Sequence, residues 1–359
     1  MYSLLRYLPS IFWKRKPIQL TFFVTRKCNA RCPFCFYLKS ADQPANGAAE
    51  LSLAEIERLA SSLGRLLWLA FSGGEIYLRK DLVEISKVFY DRNSPAIMLY
   101  PTNGLLPELI REQTEKILEH CRHSVVAVKL SIDGVYSDHD ALRETPGGFD
   151  KAMRTYYLLE ELLARYPNFE LGINTVFCSR NQDKMDEIID FVSDLKGVRT
   201  HTISLVRGNL EQDDYKDVDV GKYQRAIERL EKNLKAKTAN IYRFKGARLK
   251  AAQDILQRRL IGQTLMTHQR KHPCYAGRLN LVMTESGEVY PCEILSTSFG
   301  NIRDHDYDMQ RLVHSNGALS ALEPIAEKRC HCTHECNFIT NILFNPRMYP
   351  GLLREYLQL

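Results

Sequence analysis

The chain has 359 residues, of which 45% are hydrophobic and 26% charged, and its net charge is +6. This composition is typical of a globular protein and excludes a disordered one, and the length allows one large domain with a smaller one. The charge is too modest and too evenly spread to indicate a nucleic-acid-binding protein. No stretch of the sequence is long and apolar enough to predict a membrane-spanning helix.

Residues 1–17 form a short amphipathic segment. Its basic residues at positions 14–16 follow the apolar ones, whereas a secretory signal places its basic residues first, so we predict a cytoplasmic protein. The segment is expected to pack on the domain surface. The alternative is a peripheral membrane contact through residues 1–16, made by the apolar side chains of Leu4, Leu5, Leu8, Ile11, Phe12 and Trp13.

Residues 18–210 alternate short apolar strands with amphipathic helices. Strands are predicted at residues 18–25, 67–71, 97–100, 125–132, 169–177 and 202–206, and helices at 53–63, 80–90, 107–121, 149–165 and 182–195. Parallel strands need crossover connections, and right-handed crossovers curl such a sheet. We therefore predict an α/β fold, a partial (β/α)6 TIM-like barrel, with its chemistry at the carboxyl ends of the strands.

The remaining residues differ in composition from the predicted barrel. Residues 211–270 are rich in Lys, Arg, Glu and Gln and predict a linker of two helices. Residues 271–359 are predicted to form a small cysteine-rich domain. It begins with a hairpin over residues 279–292 that turns at Ser286 and Gly287.

Ten cysteines without a secretion signal indicate metal ligation rather than disulfides, because the cytosol keeps thiols reduced. Cys28, Cys32 and Cys35 follow the first strand with C-x3-C-x2-C spacing. A structural zinc site needs four ligands, so three thiols fit better a 4Fe–4S cube with one open iron. Zinc with a distant fourth ligand is the alternative. The isolated Cys121 and Cys178 are predicted to be small buried apolar residues.

This spacing, with the aromatic Phe34 before the last cysteine, resembles the radical S-adenosylmethionine superfamily. The resemblance implies that S-adenosylmethionine (SAM) binds at the open iron and is cleaved reductively to a 5′-deoxyadenosyl radical, which abstracts hydrogen from a substrate. It also implies an electron donor such as flavodoxin or ferredoxin. The alternative is a non-catalytic iron–sulfur or zinc-binding redox scaffold protein.

Further motifs agree with that family. Gly73, Gly74 and Glu75 end the second strand, where glycines allow close backbone approach and a carboxylate accepts hydrogen bonds from the SAM ammonium group. An electron carrier has no use for such a motif. The resemblance implies further SAM contacts at later strand ends, namely Thr102 and Asn103 in a TNG turn, Ser131 and Asp133 in an S-I-D-G segment, Arg143 and Asn174. The alternative for each is an ordinary turn or strand-end cap.

Two cysteines of the C-terminal domain have a recognisable spacing. Cys274 and Cys292 are arranged as C-x12-G-x4-C, with Gly287 in the turn, and this is similar to the SPASM/Twitch subgroup of the same superfamily. The glycine allows the hairpin to turn so that both thiols face one cluster. The two cysteines are therefore predicted to supply two ligands of an auxiliary cluster.

Three cysteines near the C-terminus depart from the SPASM pattern. Cys330, Cys332 and Cys336 are spaced C-x-C-x3-C. Two complete auxiliary cubes need about seven or eight thiolates, so the five available predict one auxiliary 4Fe–4S cluster. Cys336 is preferred as one of the two remaining ligands, and the choice between Cys330 and Cys332 stays open. Zinc at this site is the alternative.

The resemblance implies that an auxiliary cluster either binds substrate or accepts an electron from the substrate radical. Full thiolate ligation leaves no open iron, so it favours the second role and predicts oxidation or bond formation. Glu293, next to Cys292, is a candidate base, and a surface glutamate is the alternative. The substrate classes that the resemblance implies are a peptide, a small molecule and a lipid-linked molecule. Because 17 residues precede the first strand, a peptide substrate is expected to need a separate peptide-recognition protein.

Overall fold

The computed structural model describes residues 4–37, 49–236 and 241–359. Six strands lie in the first part of the chain: β1 Gln19–Thr25, β2 Trp68–Gly73, β3 Ile97–Thr102, β4 Val125–Ser131, β5 Phe169–Phe177 and β6 Val198–Leu205. Three more follow: β7 Asn280–Met283, β8 Glu288–Tyr290 and β9 Gly300–Asn301. Within the described ranges these strands form one nine-stranded sheet of order β6-β5-β4-β3-β2-β1-β7-β8-β9.

Helices separate the strands. The first part of the chain contains α1 Pro9–Phe12, α2 Leu53–Ser62, α3 Leu82–Asn93, α4 Pro107–His120, α5 Ser137–Arg143, α6 Gly148–Glu160, α7 Leu162–Arg165 and α8 Met185–Asp194. The second part contains α9 Val220–Lys235, α10 Ala247–Thr267, α11 Met309–Val313, α12 Asn316–Ala326, α13 Glu335–Leu343 and α14 Tyr349–Gln358. The two helices predicted between the barrel and the cysteine-rich region are α9 and α10.

Strands β1 to β6 pair in parallel, each with the next along the chain. This confirms the predicted α/β fold with a partial barrel. The helix predicted over residues 149–165 is present and is interrupted at Glu161, which separates α6 from α7. The short helix α5 was not predicted. Helix α5 is bounded by Tyr136 and Glu144, whose φ angles of 51° and 50° are exceptional for these residue types.

The hairpin of β7 and β8 was predicted, but its position in the sheet was not. Val282 pairs antiparallel with Tyr290, and Gly287 takes a φ of 92° in the turn. Strand β7 also pairs in parallel with β1, so that Leu20 lies opposite Leu281. The cysteine-rich region is therefore joined to the barrel by a continuous backbone hydrogen-bond ladder.

The strands divide their side chains between two faces. Along β1, Leu20, Phe22 and Val24 are buried in the main apolar cluster, which also contains Ile56 and Leu59 of α2. Side chains at the alternate positions project into the barrel interior, because successive residues of a strand point to opposite faces. The interior is lined by polar as well as apolar residues, and it therefore holds a cavity rather than a second apolar core.

The N-terminal segment packs at the amino ends of β1 and β2. The Tyr7 hydroxyl donates a hydrogen bond of 2.6 Å to the carbonyl of Leu66. Phe12 and Trp13 nevertheless remain 73% and 65% exposed. Residues 1–3, part of the predicted membrane-contact segment, lie outside the described residues. Across the described ranges, no helix has the length and apolar character that crossing a membrane requires.

Candidate active site

Cys28, Cys32 and Cys35 lie in the loop that follows β1, packed in one cluster with Phe34. The loop is tightened by a hydrogen bond of 3.0 Å from the Cys35 amide to the Cys32 carbonyl. Burial raises the pKa of the Cys32 thiol to about 11, and charges on Cys35 and Cys28 add to this effect. The three thiols are therefore close enough to influence one another, as ligands of one metal cluster must be.

Several groups around this loop favour thiolates. The backbone of Ala30 hydrogen-bonds the thiol of Cys28 and opposes the effect of burial on its pKa. The Arg143 guanidinium lowers the pKa of Cys32. The Asn103 Nδ2 atom lies 3.9 Å from the sulfur of Cys28. Metal binding requires deprotonated cysteines, so these donors and this cation fit a thiolate-ligated cluster.

Gly73 and Gly74 allow the end of β2 to pack directly against the start of the cysteine loop. The Gly74 amide donates to the Thr25 carbonyl at 2.9 Å, and the Glu75 amide donates to the Lys27 carbonyl at 2.8 Å. A Cβ atom at Gly73 would lie 2.3 Å from the Thr25 oxygen, and one at Gly74 would lie 2.1 Å from the Lys27 oxygen. No other residue type fits this contact without backbone movement.

The Glu75 carboxylate connects this segment to the turn that follows β3. It accepts hydrogen bonds from the Thr102 hydroxyl at 2.9 Å, the Asn103 amide at 2.8 Å and the Tyr77 amide at 3.3 Å. The side chain is buried, and burial raises its pKa to about 7. Glu75 thus holds Thr102 and Asn103 beside the cysteine loop. Its contact with a SAM ammonium group stays a prediction.

Asp133 and Arg143 form an ion pair next to the first cysteine group. The Arg143 Nε atom donates to Asp133 Oδ2 at 2.6 Å, and the amide of Val176 donates to Asp133 Oδ1 at 2.6 Å. The Arg143 guanidinium lies 6.0 Å from the centre of the Phe34 ring. Asp133 therefore fixes the cation that lies beside the thiols, and Arg143 has a partner in the protein itself.

A cavity of about 320 Å³ occupies the barrel interior. Phe34, Ser131 and Asn174 line it near the cysteine loop, and Ser131 lies opposite Asn174 in the register of β4 and β5. The Ser204 hydroxyl donates to Asn174 Oδ1 at 3.2 Å. The structure therefore brings two of the predicted cofactor residues together at the carboxyl ends of adjacent strands.

Four cysteines of the C-terminal region form a second group. Burial raises the pKa of Cys292 to about 11, with further contributions from charges on Cys274 and Cys330. Burial also raises the pKa of Cys332 to about 12, with contributions from all three of these cysteines. Cys274, Cys292 and Cys330 also pack in one apolar cluster. Three of these cysteines therefore pack together and the fourth interacts electrostatically with them, and four thiols are the ligand count of a complete 4Fe–4S cube.

Backbone amides also surround this second group. The amide two residues after a cysteine hydrogen-bonds its thiol at Cys274 and Cys292, and the backbone of His334 does so at Cys332. The Arg270 Nη1 atom lies 3.8 Å from the sulfur of Cys330. Both cysteine groups thus have amide donors and an arginine nearby, which favours the thiolate form in each.

Cys336 lies with Glu293 and His334. Ligand atoms of these three side chains all lie within 4.8 Å of one another. The imidazole of His334 hydrogen-bonds Glu293 through Nε2, and the Cys336 amide donates to His334 Nδ1 at 3.2 Å. The grouping of the thiols therefore does not favour Cys336 as a ligand of the auxiliary cluster. Cys330 and Cys332 are better placed beside Cys274 and Cys292.

Glu293 is enclosed, with its side chain only 7% exposed, so the surface-glutamate interpretation was wrong. Although burial raises the pKa of Glu293, the charges of His334 and Arg207 lower it to about 2. Burial and Arg207 lower the pKa of His334, but Glu293 and Cys336 raise it to about 10. Glu293 is thus held as a carboxylate by a hydrogen bond from His334 Nε2, and Glu293 and Cys336 both line the barrel cavity.

Arg207 is a cavity residue that sequence reasoning missed. Its Nη2 atom lies 3.5 Å from Glu293, its Nη1 atom lies 3.9 Å from Glu335, and its guanidinium lies 5.1 Å from the centre of the Phe36 ring. Arg207 follows β6, outside any recognised motif. The available signal was a charged residue directly after the last barrel strand, where site residues of such folds occur.

Comparison with known proteins shows what the chain is similar to. Residues 22–192 match the model of the Radical SAM superfamily. The AdoMet-dependent heme synthase of Methanosarcina barkeri is 27% identical over 303 residues, which cover 81% of this chain and 81% of that protein. The antilisterial bacteriocin subtilosin biosynthesis protein AlbA of Bacillus subtilis is 25% identical over 300 residues, which cover 81% of this chain and 59% of that protein.

Two solved structures share the fold. The structure of anSMEcpe with bound AdoMet has a TM-score of 0.59 and 17% identity, and the match covers 95% of this chain and 92% of that chain. SuiB of Streptococcus suis bound to S-adenosylmethionine has a TM-score of 0.57 and 15% identity, covering 87% of this chain and 69% of that chain. At such identities the likeness shows the fold alone.

Proposed function

We propose that the chain is a radical SAM enzyme of the SPASM/Twitch-type subgroup, which oxidises or joins atoms of its substrate with the help of one auxiliary 4Fe–4S cluster. One observation carries the proposal. A single cavity is bordered by Phe34 of the first cysteine loop and by Glu293, the residue after Cys292 of the second thiol group. A substrate in this cavity has access to both groups.

Cys28, Cys32 and Cys35 are the proposed ligands of the cluster at which SAM binds. When bound, this cluster with SAM supplies the reductive cleavage that gives a 5′-deoxyadenosyl radical. The chain's own residues hold the loop: Gly73 and Gly74 pack against its start. We propose that the SAM contacts include these glycines with Phe34, Glu75, Thr102, Asn103, Ser131, Asp133, Arg143 and Asn174.

Cys274, Cys292, Cys330 and Cys332 are the proposed ligands of the auxiliary cluster. Their mutual charge interactions support this set, and Arg270 beside Cys330 balances part of the negative charge of a thiolate site. With four protein ligands no iron stays open, so the cluster supplies an electron acceptor rather than a substrate-binding metal. Cys336 is then left facing the cavity.

Glu293 is the proposed base for a proton that leaves the substrate on oxidation. Its position on the cavity wall supports this assignment. His334 holds the carboxylate by a hydrogen bond to Oε2, and Arg207 Nη2 lies 3.5 Å from the same oxygen. A base must reach its proton directly or through one water, and a position on the wall allows this.

The substrate class is a separate proposal. Relatives of the chain have names that refer to haem synthesis and to bacteriocin biosynthesis, as for the heme synthase of Methanosarcina barkeri and for AlbA. We propose a peptide, a small molecule or a lipid-linked molecule whose reacting part enters the barrel cavity. A flavodoxin or ferredoxin is the proposed electron donor, and a separate peptide-recognition protein is a proposed partner for a peptide substrate.

We also propose peripheral membrane contact through the N-terminal segment. Leu8, Phe12 and Trp13 are exposed large apolar side chains, and the basic residues 14–16 follow them. Aromatic side chains next to basic ones are typical of segments that bind anionic lipid surfaces. This contact would place a lipid-linked substrate near the protein.

Anaerobic SAM cleavage tests the function. We expect the reconstituted, reduced enzyme to release 5′-deoxyadenosine from SAM and the Cys32→Ala variant to release none. The buried Cys121 belongs to neither thiol group, so Cys121→Ala is the matched control and should retain cleavage. An iron–sulfur protein that yields no 5′-deoxyadenosine would instead be the redox scaffold.

A further inference from the structure

The inner end of the barrel cavity, away from the cysteine loops, carries polar groups that the proposed SAM chemistry does not use. Glu170 and Lys129 both line the cavity there. Glu170 precedes Asn174 by four residues on β5, which at about 3.3 Å per residue places it roughly 13 Å deeper. We call Lys129 and Glu170, with the residues around them, the cavity floor.

Lys129 is held across the floor. Its Nζ atom donates to the hydroxyls of Thr200 and Thr202. A Cβ atom at Gly172 would lie only 2.6 Å from this Nζ, so the glycine makes room for the lysine. An ammonium group has three N–H donors, and two hydroxyl partners leave capacity for one more acceptor.

Glu170 supplies an unused acceptor. The residue is only 4% exposed, and its Oε1 atom accepts a hydrogen bond of 2.6 Å from the amide of Arg243. Its Oε2 atom is buried without a hydrogen-bond partner among the described residues. A buried carboxylate oxygen without a partner is costly, so a donor from a bound molecule would relieve that cost.

The ionisable side chains that line the floor are two bases, Lys129 and Lys250, and two acids, Glu170 and Asp254. Lys250 forms an ion pair with Asp254 on α10, and the Lys129 ammonium is opposite in sign to the Glu170 carboxylate. A ligand with a net charge would therefore add an uncompensated charge in an enclosed site. A neutral group with an acceptor beside a donor satisfies Lys129 and Glu170 together, and a primary amide has this arrangement.

We propose that the cavity floor binds a neutral amide group of the substrate, remote from the reacting carbon. This inference rests on the proposed function, because it assigns a binding site to the part of the substrate that the radical does not attack. The amide oxygen accepts from Lys129, and the amide N–H donates to Glu170 Oε2. The flat faces of Trp68 and Phe244, which also line the cavity, cover the apolar part of the group.

Saturation-transfer NMR on the reconstituted enzyme tests this site with three probes of similar size: acetamide, acetate and methylammonium. We expect a signal from acetamide that exceeds the signals of both ions. Lys129→Met and Glu170→Gln should each weaken it at least fivefold, since the first removes the donor and the second replaces the free acceptor with an amide. The exposed Lys151 supplies the matched control Lys151→Met, with an unchanged signal.

Two results would overturn the proposal: an acetamide signal that survives in both variants, and acetate or methylammonium binding more strongly than acetamide. Iron content and SAM cleavage without substrate should match the wild type in both variants, which separates loss of the site from loss of the fold. A failure of the proposed function is distinguishable, because the enzyme would then form no 5′-deoxyadenosine while acetamide still bound.

Discussion

Glu75 accepts a hydrogen bond of 2.8 Å from the backbone amide of Asn103, and this bond joins two segments that lie apart in the sequence. Its other oxygen accepts from the Thr102 hydroxyl and the Tyr77 amide. One carboxylate therefore satisfies three donors. Ser72 to Glu75 and Thr102 to Gly104 are recognisable separately in the sequence, but only the fold places one against the other.

Replacing Glu75 with Gln should lower the rate of SAM cleavage by at least tenfold. A glutamine has one carbonyl oxygen, so its NH2 group would face the Asn103 amide, and two donors would meet in a buried site. The measurement is 5′-deoxyadenosine released per minute by the reduced enzyme. Glu84→Gln on the exposed face of α3 should leave the rate unchanged. A Glu75→Gln variant with full activity would contradict this role.

Replacing Cys292 or Cys332 with Ala should lower iron from about eight to about four per chain, because each loses a ligand of the auxiliary cube. Cys336→Ala should retain about eight, since Cys336 lies with Glu293 and His334. The measurement is iron and sulfide per chain after anaerobic reconstitution. Loss of iron in Cys336→Ala, with retention in Cys332→Ala, would restore Cys336 as the ligand.

Replacing Gly74 with Ala should destabilise the cysteine loop by about 1–3 kcal/mol, because the new Cβ atom would overlap a backbone carbonyl. The thermal midpoint and the iron of the first cluster should both fall. Gly262 in α10 is the matched control, since a Cβ there meets nothing within 4 Å. Gly262→Ala should stabilise the protein by about 1 kcal/mol through helix propensity. Equal midpoints for the two variants would refute the close packing.

The pH dependence of stability should reflect Lys129. Burial lowers its pKa from 10.5 to about 7 in the folded protein. Between these values the unfolded chain holds a proton that the folded chain has released, so stability from this group rises with pH above about 7, by at most about 1.4 kcal/mol per unit. Below pH 7 both states hold the proton, so the group adds no pH dependence and the cost of burying its charge is fully present.

Lys129→Met removes this titration. Thermal midpoints measured at pH 7 and pH 9 should therefore differ less in the variant than in the wild type, and the Lys151→Met control should behave as the wild type. An equal pH response in the wild type and in Lys129→Met would show that burial does not lower the pKa of Lys129.

The double substitution Phe12→Ser with Trp13→Ser should reduce binding to vesicles of anionic phospholipid at least tenfold. Burial of a large apolar side chain contributes about 1.5–3 kcal/mol, and both residues are mostly exposed in the protein. Co-sedimentation with phosphatidylglycerol vesicles is the measurement. Leu319→Ser is the control, because Leu319 is 66% exposed outside the segment. A wild-type protein that does not sediment would end this proposal.

Much of the barrel was predictable from local pattern. Apolar strands such as β4 and β5 and the amphipathic helices between them follow from periodicity, and the cysteine spacing follows the first strand directly. The buried state of Cys121 and Cys178 was also predicted and is confirmed. The parallel pairing of β7 with β1 was not predicted. Residues 20 and 281 are far apart in the sequence, and a local pattern does not identify such a distant partner.

The sequence by itself determined the thiols, the glycines and the turn motifs, since residue type and spacing fix what a short segment can ligate or adopt. The tertiary structure decided which of these groups meet. It set Cys336 with Glu293 and His334 rather than with the four other thiols of its region, and it placed Lys129 over Gly172 at the base of the cavity. The reason is that a site forms only where its side chains lie close together. Residues that are distant in the sequence come close together only when the chain folds.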